Sequence, residues 1–175
     1  SWNRKIYLFE KNSSTPIWSY ETGDLVFSVA ISADGEYISA GSKDNKVYLF
    51  DKNSSTPIWS AYTEDSVRSV DISADGEYIS AGSEDDKVYL FHKDSNTPLW
   101  GYTTGGNVMS TSISSDGDYI SAGSWDGTLY NIVRNNTTPQ IIIQDSPSLS
   151  GSLVNLSWSF DRDYTYNITK FEWFV

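Results

Sequence analysis

His92 is the single histidine of a 175-residue chain that contains no cysteine. Thiol catalysis, Cys-based zinc sites and any choice among Ser–His pairs are therefore excluded. An imidazole could work as a general acid or base, but the positions 41 and 82 residues away from His92 are Glu10, Asp51 and Val133. That variation reads as a strand-end position next to a turn. Carboxylates are plentiful, with 23 Asp and Glu against 12 Lys and Arg and a formal charge of -11. A paired-carboxylate hydrolase needs two acids converging across one cleft, whereas nearly all of these sit in turns. Asp34, Asp44, Asp75, Asp85, Asp86 and Asp126 offer hard oxygen ligands to calcium, yet neither EF-hand spacing nor a dense carboxylate cluster occurs. No catalytic residue, metal site or cofactor is expected. The acidic balance, with a pI near 4.3, argues against nucleic acid or an anionic membrane surface as a partner. No apolar run approaches the roughly 20 residues of a membrane helix, and no charged start followed by an apolar run marks a signal peptide.

A different chemistry is carried by Asn-x-Ser/Thr, the acceptor pattern for N-glycosylation. It occurs at Asn12, Asn53, Asn135, Asn136, Asn155 and Asn167, six of the eleven asparagines. Asn12, Asn53 and Asn135 occupy equivalent positions in an internal repeat, and Asn-Ser is also ordinary turn chemistry. If glycosylated, the protein is exported, and an acidic, cysteine-free composition fits an archaeal or bacterial cell surface. Extracellular or cell-surface localisation is the expectation.

The elements that must position these residues follow from that repeat. Trp18, Trp59 and Trp100 are spaced by 41 residues, and so are Gly35, Gly76 and Gly117. Residues 31–42 (ISADGEYISAGS) recur letter for letter at 72–83 and again as ISSDGDYISAGS at 113–124. Each unit reads as four short strands, predicted for the first complete one at 25–32, 36–42, 46–51 and 57–62, because β-prone runs alternate with turn residues and lack a 3.6-residue stripe. Gly35 supplies the positive φ that closes the first hairpin, and Asp44-Asn45, Asp85-Asp86 and Asp126-Gly127 make the second turn. Small residues (Ser28, Ala30, Ser39, Ala40, Gly41) mark inner strands near a crowded axis, while Tyr48, Phe50 and Trp59 fill the widening space outside. Four antiparallel strands per 41 residues is a propeller blade.

At these residues the chain resembles the WD-repeat family. VFSVAISADGEYISAGSKDNKVYLFD, residues 26–51, is similar to that family's strand, Ser-x-Asp-Gly, small-residue strand ending Gly-Ser-x-Asp, and strand ending Trp-Asp. The resemblance covers roughly residues 1–139. It departs where Trp-Asp becomes Phe50-Asp51, Phe91-His92 and Ile132-Val133, and where Gly-His becomes Gly23-Asp24, Glu64-Asp65 and Gly105-Gly106, so the family's Asp-His-Ser-Trp network is absent. The outer Thr-Pro-Ile-Trp resembles instead the signature of quinoprotein-type propellers (PQQ-like repeats), which implies tryptophans docked between successive blades. That group's cofactor-binding residues have no counterpart here.

The expected fold is all-β: four-stranded antiparallel propeller blades on a 41-residue repeat, part of a larger or oligomeric propeller. Residues 1–22 form a half blade, 23–63, 64–104 and 105–139 three units, and 140–175 a divergent β tail. That tail is either a closing blade that pairs with residues 5–20, or the start of an immunoglobulin-like or fibronectin-type module, which SGSLVNLSWSF and ITKFEWFV resemble.

In a four-stranded meander the first-to-second and third-to-fourth loops share one face, here with Asn12, Asn53, Asp34 and Asp75. The opposite face carries Asp24, Asp44, Glu64, Asp65, Glu84, Asp85, Asp86 and Asp126, together with Trp2 and Trp125. An aromatic at an exposed turn is a stronger interaction signal than an acid. The partner-binding candidates are therefore Trp2, Trp125, Asp44, Asp65, Asp85 and Asp126. The expectation is a non-catalytic binding or structural module that meets a protein or glycan. The competing readings are a piece of a quinoprotein-like oxidoreductase or propeller hydrolase with its catalytic residues on other blades, and a self-associating lattice or filament subunit.

Overall fold

The computed structural model describes residues 3–134 in full and residues 140–142 as backbone. Trp2, Asn135, Asn136, Asn155, Asn167 and both readings of the tail lie outside the described residues, as does the second compact unit, Asp145–Val175. The first unit, Ser1–Gln144, is all-β. Strands β1 (Lys5–Phe9) and β2 (Pro16–Glu21) form a two-stranded ribbon. Three four-stranded antiparallel meanders follow. The first is β3 (Val26–Ile31), β4 (Tyr37–Ser42), β5 (Lys46–Asp51) and β6 (Trp59–Tyr62); the second is β7 (Val67–Ile72), β8 (Tyr78–Ser83), β9 (Lys87–His92) and β10 (Trp100–Thr103). The third is β11 (Val108–Ile113), β12 (Tyr119–Ser124), β13 (Leu129–Val133) and β14 (Gln140–Ile142). These are the repeated blades the 41-residue period predicts.

The outer strands β6 and β10 begin at their tryptophans, two residues after the prolines that precede them, whereas their counterpart β2 begins at Pro16 itself. Ile58 N still donates to Leu49 O at 2.7 Å, which keeps the chain on course into β6. In the third unit the fourth strand uses Gln140–Ile142, residues assigned to the tail on sequence. It is also slipped by one. Leu49 and Leu90 pair with Trp59 and Trp100, whereas Asn131 pairs with Ile142. The loop before β14 is therefore one residue longer, and without a tryptophan to dock, the older register is not enforced.

The core lies between consecutive blades. Val47, Leu49, Trp59 and Ala61 of the first pack on Val67, Val70, Ile72, Ile79, Ala81, Tyr89 and Phe91 of the second. Trp18 and Trp59 hold this stacking with both ends of the indole. Their rings lie 5.4 and 5.5 Å from Phe50 and Phe91 of the following blade, and their Nε1 groups donate to the carbonyls of Lys52 and Lys93 at 2.8 and 2.7 Å. Trp100 Nε1 is buried and has no acceptor among the described residues.

Glycine sets the closest approaches. Gly76 and Gly117 have φ near +74° and +73°, and a Cβ on either would sit 2.5 Å from a ring carbon of Tyr37 or Tyr78 in the preceding blade. Gly35 has the same φ but no such ring against it. The hairpin conformation is thus one requirement at this position and the blade contact a second.

Candidate interaction face

Two ion pairs confirm how the loops divide between faces. Lys52 and Lys93, in third-to-fourth loops, pair with Glu36 and Glu77 beside the first hairpins. Asn12 and Asn53 share that face and are exposed. Asp34 sits there too, its carboxylate held below the ordinary range by the Ser32 hydroxyl and the Glu36 amide. His92 borders the same side, 3.2 Å from Glu77 and edge-on to the Tyr78 ring at 5.4 Å. It is part of a surface ion cluster.

The opposite face is built around a network that recurs in each unit. Asp44 Oδ2 accepts the Gly23 amide at 2.7 Å and the Tyr48 hydroxyl at 2.6 Å. Asp85 Oδ2 does the same with Glu64 N (2.9 Å) and Tyr89 (2.7 Å), and Asp126 Oδ2 with Gly105 N (2.8 Å) and Tyr130 (2.5 Å). In the linker, the Thr22, Thr63 and Thr104 hydroxyls each lie 2.6 Å from the carbonyl two residues on. The Ser42, Ser83 and Ser124 hydroxyls donate to those same carbonyls at 3.2, 3.1 and 2.8 Å. A Thr–Ser–Asp–Tyr set thereby ties each blade-linking segment to the turn between the second and third strands.

This bonding changes the meaning of the acidic candidates. Asp44, Asp85 and Asp126 each have a structural acceptor role, and the Tyr130 hydroxyl lowers the Asp126 carboxyl to about 2. Burial, then the bond to the partner carboxylate, pushes the Tyr48 and Tyr89 phenols well above the usual range. Asp65 is exposed and accepts the Ser66 amide at 2.7 Å, closing its own turn. Trp125 is different: it is 69% exposed, and among the described residues its one hydrogen bond is from the backbone amide, which donates to Asn107 O at 2.9 Å.

Beside it lies a feature the sequence did not disclose. The first strand of every blade carries a register shift at the same place, between Val26 and Ser28, Val67 and Ser69, and Val108 and Ser110. The bulged residues are Phe27, Arg68 and Met109, and bulges re-aim side chains next to functional sites. Arg68 spans two stations: its guanidinium lies 4.3 Å from the Phe27 ring centre and pairs with Glu84 at 2.6 Å. Glu84 is the repeat counterpart of Trp125, as Arg68 is of Met109. Across the face the two stations therefore read Phe27 and Lys43, Arg68 and Glu84, Met109 and Trp125. The charge is satisfied internally in the middle, and at the apolar end Met109 is half-buried while Trp125 is left to solvent.

Among the described residues no group of three or more His, Asp or Glu is placed to hold a metal ion. Comparison of the chain with family models finds the repeat described as WD domain, G-beta repeat (WD40) at residues 14–51, 54–92 and 96–130, well over half of the chain. Each match runs from a fourth strand into the first three strands of the next blade, so 54–92 spans β6 to β9. Comparison with curated proteins gives no match.

Proposed function

This chain belongs to the WD40 family of G-beta repeats, and we propose that it is a non-catalytic binding module of an exported surface protein, meeting a protein partner through the face that carries Trp125. WD40 repeats form β-propeller modules for protein interaction and are typically scaffolds rather than catalysts. The observation that carries the finer reading is Trp125 itself, a large side chain 69% exposed on a turn that the Thr–Ser–Asp–Tyr network holds rigid. A preordered aromatic loses little entropy on binding and buries much apolar area, which is why such residues dominate interface energetics. Met109, one station away on a bulge, supplies an adaptable apolar neighbour. The acids of the same face, with Asp65, Glu64 and Asp24 outside the tyrosine bonds, favour a partner with basic residues around an apolar centre.

Export is supported by the exposure of Asn12 and Asn53 in loops of the opposite face. Glycans there leave the Trp125 side open. The test is a photo-cross-linking residue placed at position 125 or, in a second protein, at position 53. Adducts are formed with surface proteins of the source cell, identified by mass spectrometry, and their binding is then remeasured with purified partner. The proposal expects a partner captured from position 125 and not from position 53. Capture from position 53 alone would overturn it.

A further inference from the structure

The three blades build the Trp125 face from equivalent stations, so each blade is a reference for the others. Where the first two place Lys43 and Glu84, Lys46 and Lys87, and Phe27 and Arg68, the third places Trp125, Thr128 and Met109. Its share of the face therefore carries no cation. The linker beside the turn is bare backbone, since a Cβ on Gly106 would lie 3.1 Å from Asp126 N and 3.5 Å from the Trp125 carbonyl carbon. Lys43, at the Trp125 station of a blade that has another after it, is exposed as well. Exposure there is a property of the turn and not of the end of the array.

Asn107 joins this turn to an acid of the preceding blade. Its carbonyl accepts the Trp125 amide at 2.9 Å. Its side-chain amide, turned so that the nitrogen faces oxygen, donates to Asp86 Oδ1 at 3.0 Å and to Glu84 O at 3.2 Å. Asp86 and Trp125 thus flank a single residue. The cations on the Asp86 side are already paired, Arg68 with Glu84 at 2.6 Å and Lys87 with Glu64 at 3.0 Å. Asp86 itself makes no ion pair among the described residues and is only half-buried.

The chain shows once, with its own side chain, what such a pair of groups holds. The Arg68 guanidinium lies 4.3 Å from the Phe27 ring centre, and its Nε and Nη2 both donate to Glu84 Oε1, at 2.9 and 2.6 Å. An aromatic ring of one blade and a carboxylate of the next share that cation. Trp125 and Asp86 offer the same two groups, again from adjacent blades, without a cation between them. We propose that they form the subsite for an arginine side chain of the protein partner, its guanidinium stacked on the indole and its donors directed at Asp86. This rests on the reading of the Trp125 face as the partner surface and gives that partner one defined anchor. Arginine is favoured over lysine because a planar, weakly hydrated guanidinium stacks on a ring and donates to a carboxylate at the same time. The formal charge of -11 on the chain draws such a cation to the face.

The test follows the indole N–H resonances of the whole isotope-labelled chain during titration with acetyl-Gly-Arg-Gly-amide at fixed ionic strength. Two control peptides carry lysine or citrulline, the uncharged isostere, in place of arginine. Trp125→Ala identifies the resonance of position 125. The arginine peptide is expected to shift it saturably, with lysine binding about threefold or more weaker and citrulline about fivefold or more weaker. Asp86→Asn keeps an acceptor for Asn107 and suits the φ of +66° found there, and it is expected to weaken the arginine peptide by about threefold or more. Asp94→Asn, the same charge change on the opposite face, is expected to leave binding as it is. No shift at Trp125, equal binding of the citrulline peptide, or undiminished binding to Asp86→Asn each overturns the proposal. Any of these together with capture of a partner from position 125 removes the arginine subsite and leaves the face standing. Arginine binding without such capture supports the subsite and removes the face as the partner surface.

Discussion

The phenol of Tyr89 donates to Asp85 Oδ2 at 2.7 Å, and the same oxygen accepts the Glu64 amide at 2.9 Å. One carboxylate oxygen thus fastens the linker that enters a blade to the turn inside it. Tyr89→Phe keeps the ring against Phe91 and removes only the hydroxyl, so it is expected to cost about 1.5–3 kcal/mol, the range for a hydrogen bond to a charged group. Equilibrium denaturation in urea reads this directly, with an unchanged m-value.

Acid sensitivity follows from the same set of carboxylates. Asp126 in the folded protein sits at about 2, below the ordinary carboxylate value of 3.8, first because of Tyr130. Ser32 and Ser114 likewise lower Asp34 and Asp116. A carboxyl whose folded value is depressed adds stability above its unfolded value, and that contribution is lost as pH falls toward the folded one. Melting temperature is expected to hold down to about pH 4 and then fall between about pH 4 and 2. Asp126→Asn lowers stability near neutral pH and makes this acid decline shallower.

The tryptophans that share one repeat position are not equivalent. Trp59 Nε1 donates to Lys93 O at 2.7 Å, while Trp100 Nε1 has no acceptor among the described residues. Trp59→Phe is expected to destabilise by about 1–3 kcal/mol through the lost bond and lost volume. Trp100→Phe removes no such bond and eliminates a buried donor that has no acceptor among the described residues, so its cost is expected to be smaller. Paired denaturation curves of the two variants check the ordering.

Gly82 provides a purely steric test of blade stacking. A Cβ there would lie 2.6 Å from Val108 Cγ1 and 3.0 Å from Thr111 Cγ2. Gly82→Ala is expected to cost about 1–3 kcal/mol by overpacking. The double change Gly82→Ala with Val108→Ala is expected to recover part of that loss, a coupling visible in a double-mutant cycle.

What could be read from the sequence was what repeats in kind. Trp18, Trp59 and Trp100, and the glycines at 35, 76 and 117, recur as the same residue; the glycines share one positive φ, and Trp18 and Trp59 share one indole dock that Trp100 does not complete among the described residues. The bulge was hidden because Phe27, Arg68 and Met109 share nothing but a pairing irregularity, which no composition signals. The role of Asp44, Asp85 and Asp126 was hidden for another reason. Each reaches a backbone amide 21 residues earlier in the chain, a contact set by blade twist rather than local spacing. The recurrence of Thr22, Thr63 and Thr104 with Tyr48, Tyr89 and Tyr130 was the signal available. In β14 the period itself fails, since one extra residue before it shifts the pairing.

The proposal that a protein partner is met through the Trp125 face is tested most directly by calorimetric titration of the purified partner against the wild-type chain, Trp125→Ala and Asn53→Ala. Trp125→Ala is expected to weaken binding by about tenfold or more, as for a central aromatic anchor, with melting temperature unchanged because the side chain is mostly in solvent. Asn53→Ala is expected to bind as the wild type does. Undiminished affinity of Trp125→Ala, with a loss at Asn53→Ala instead, would contradict the account.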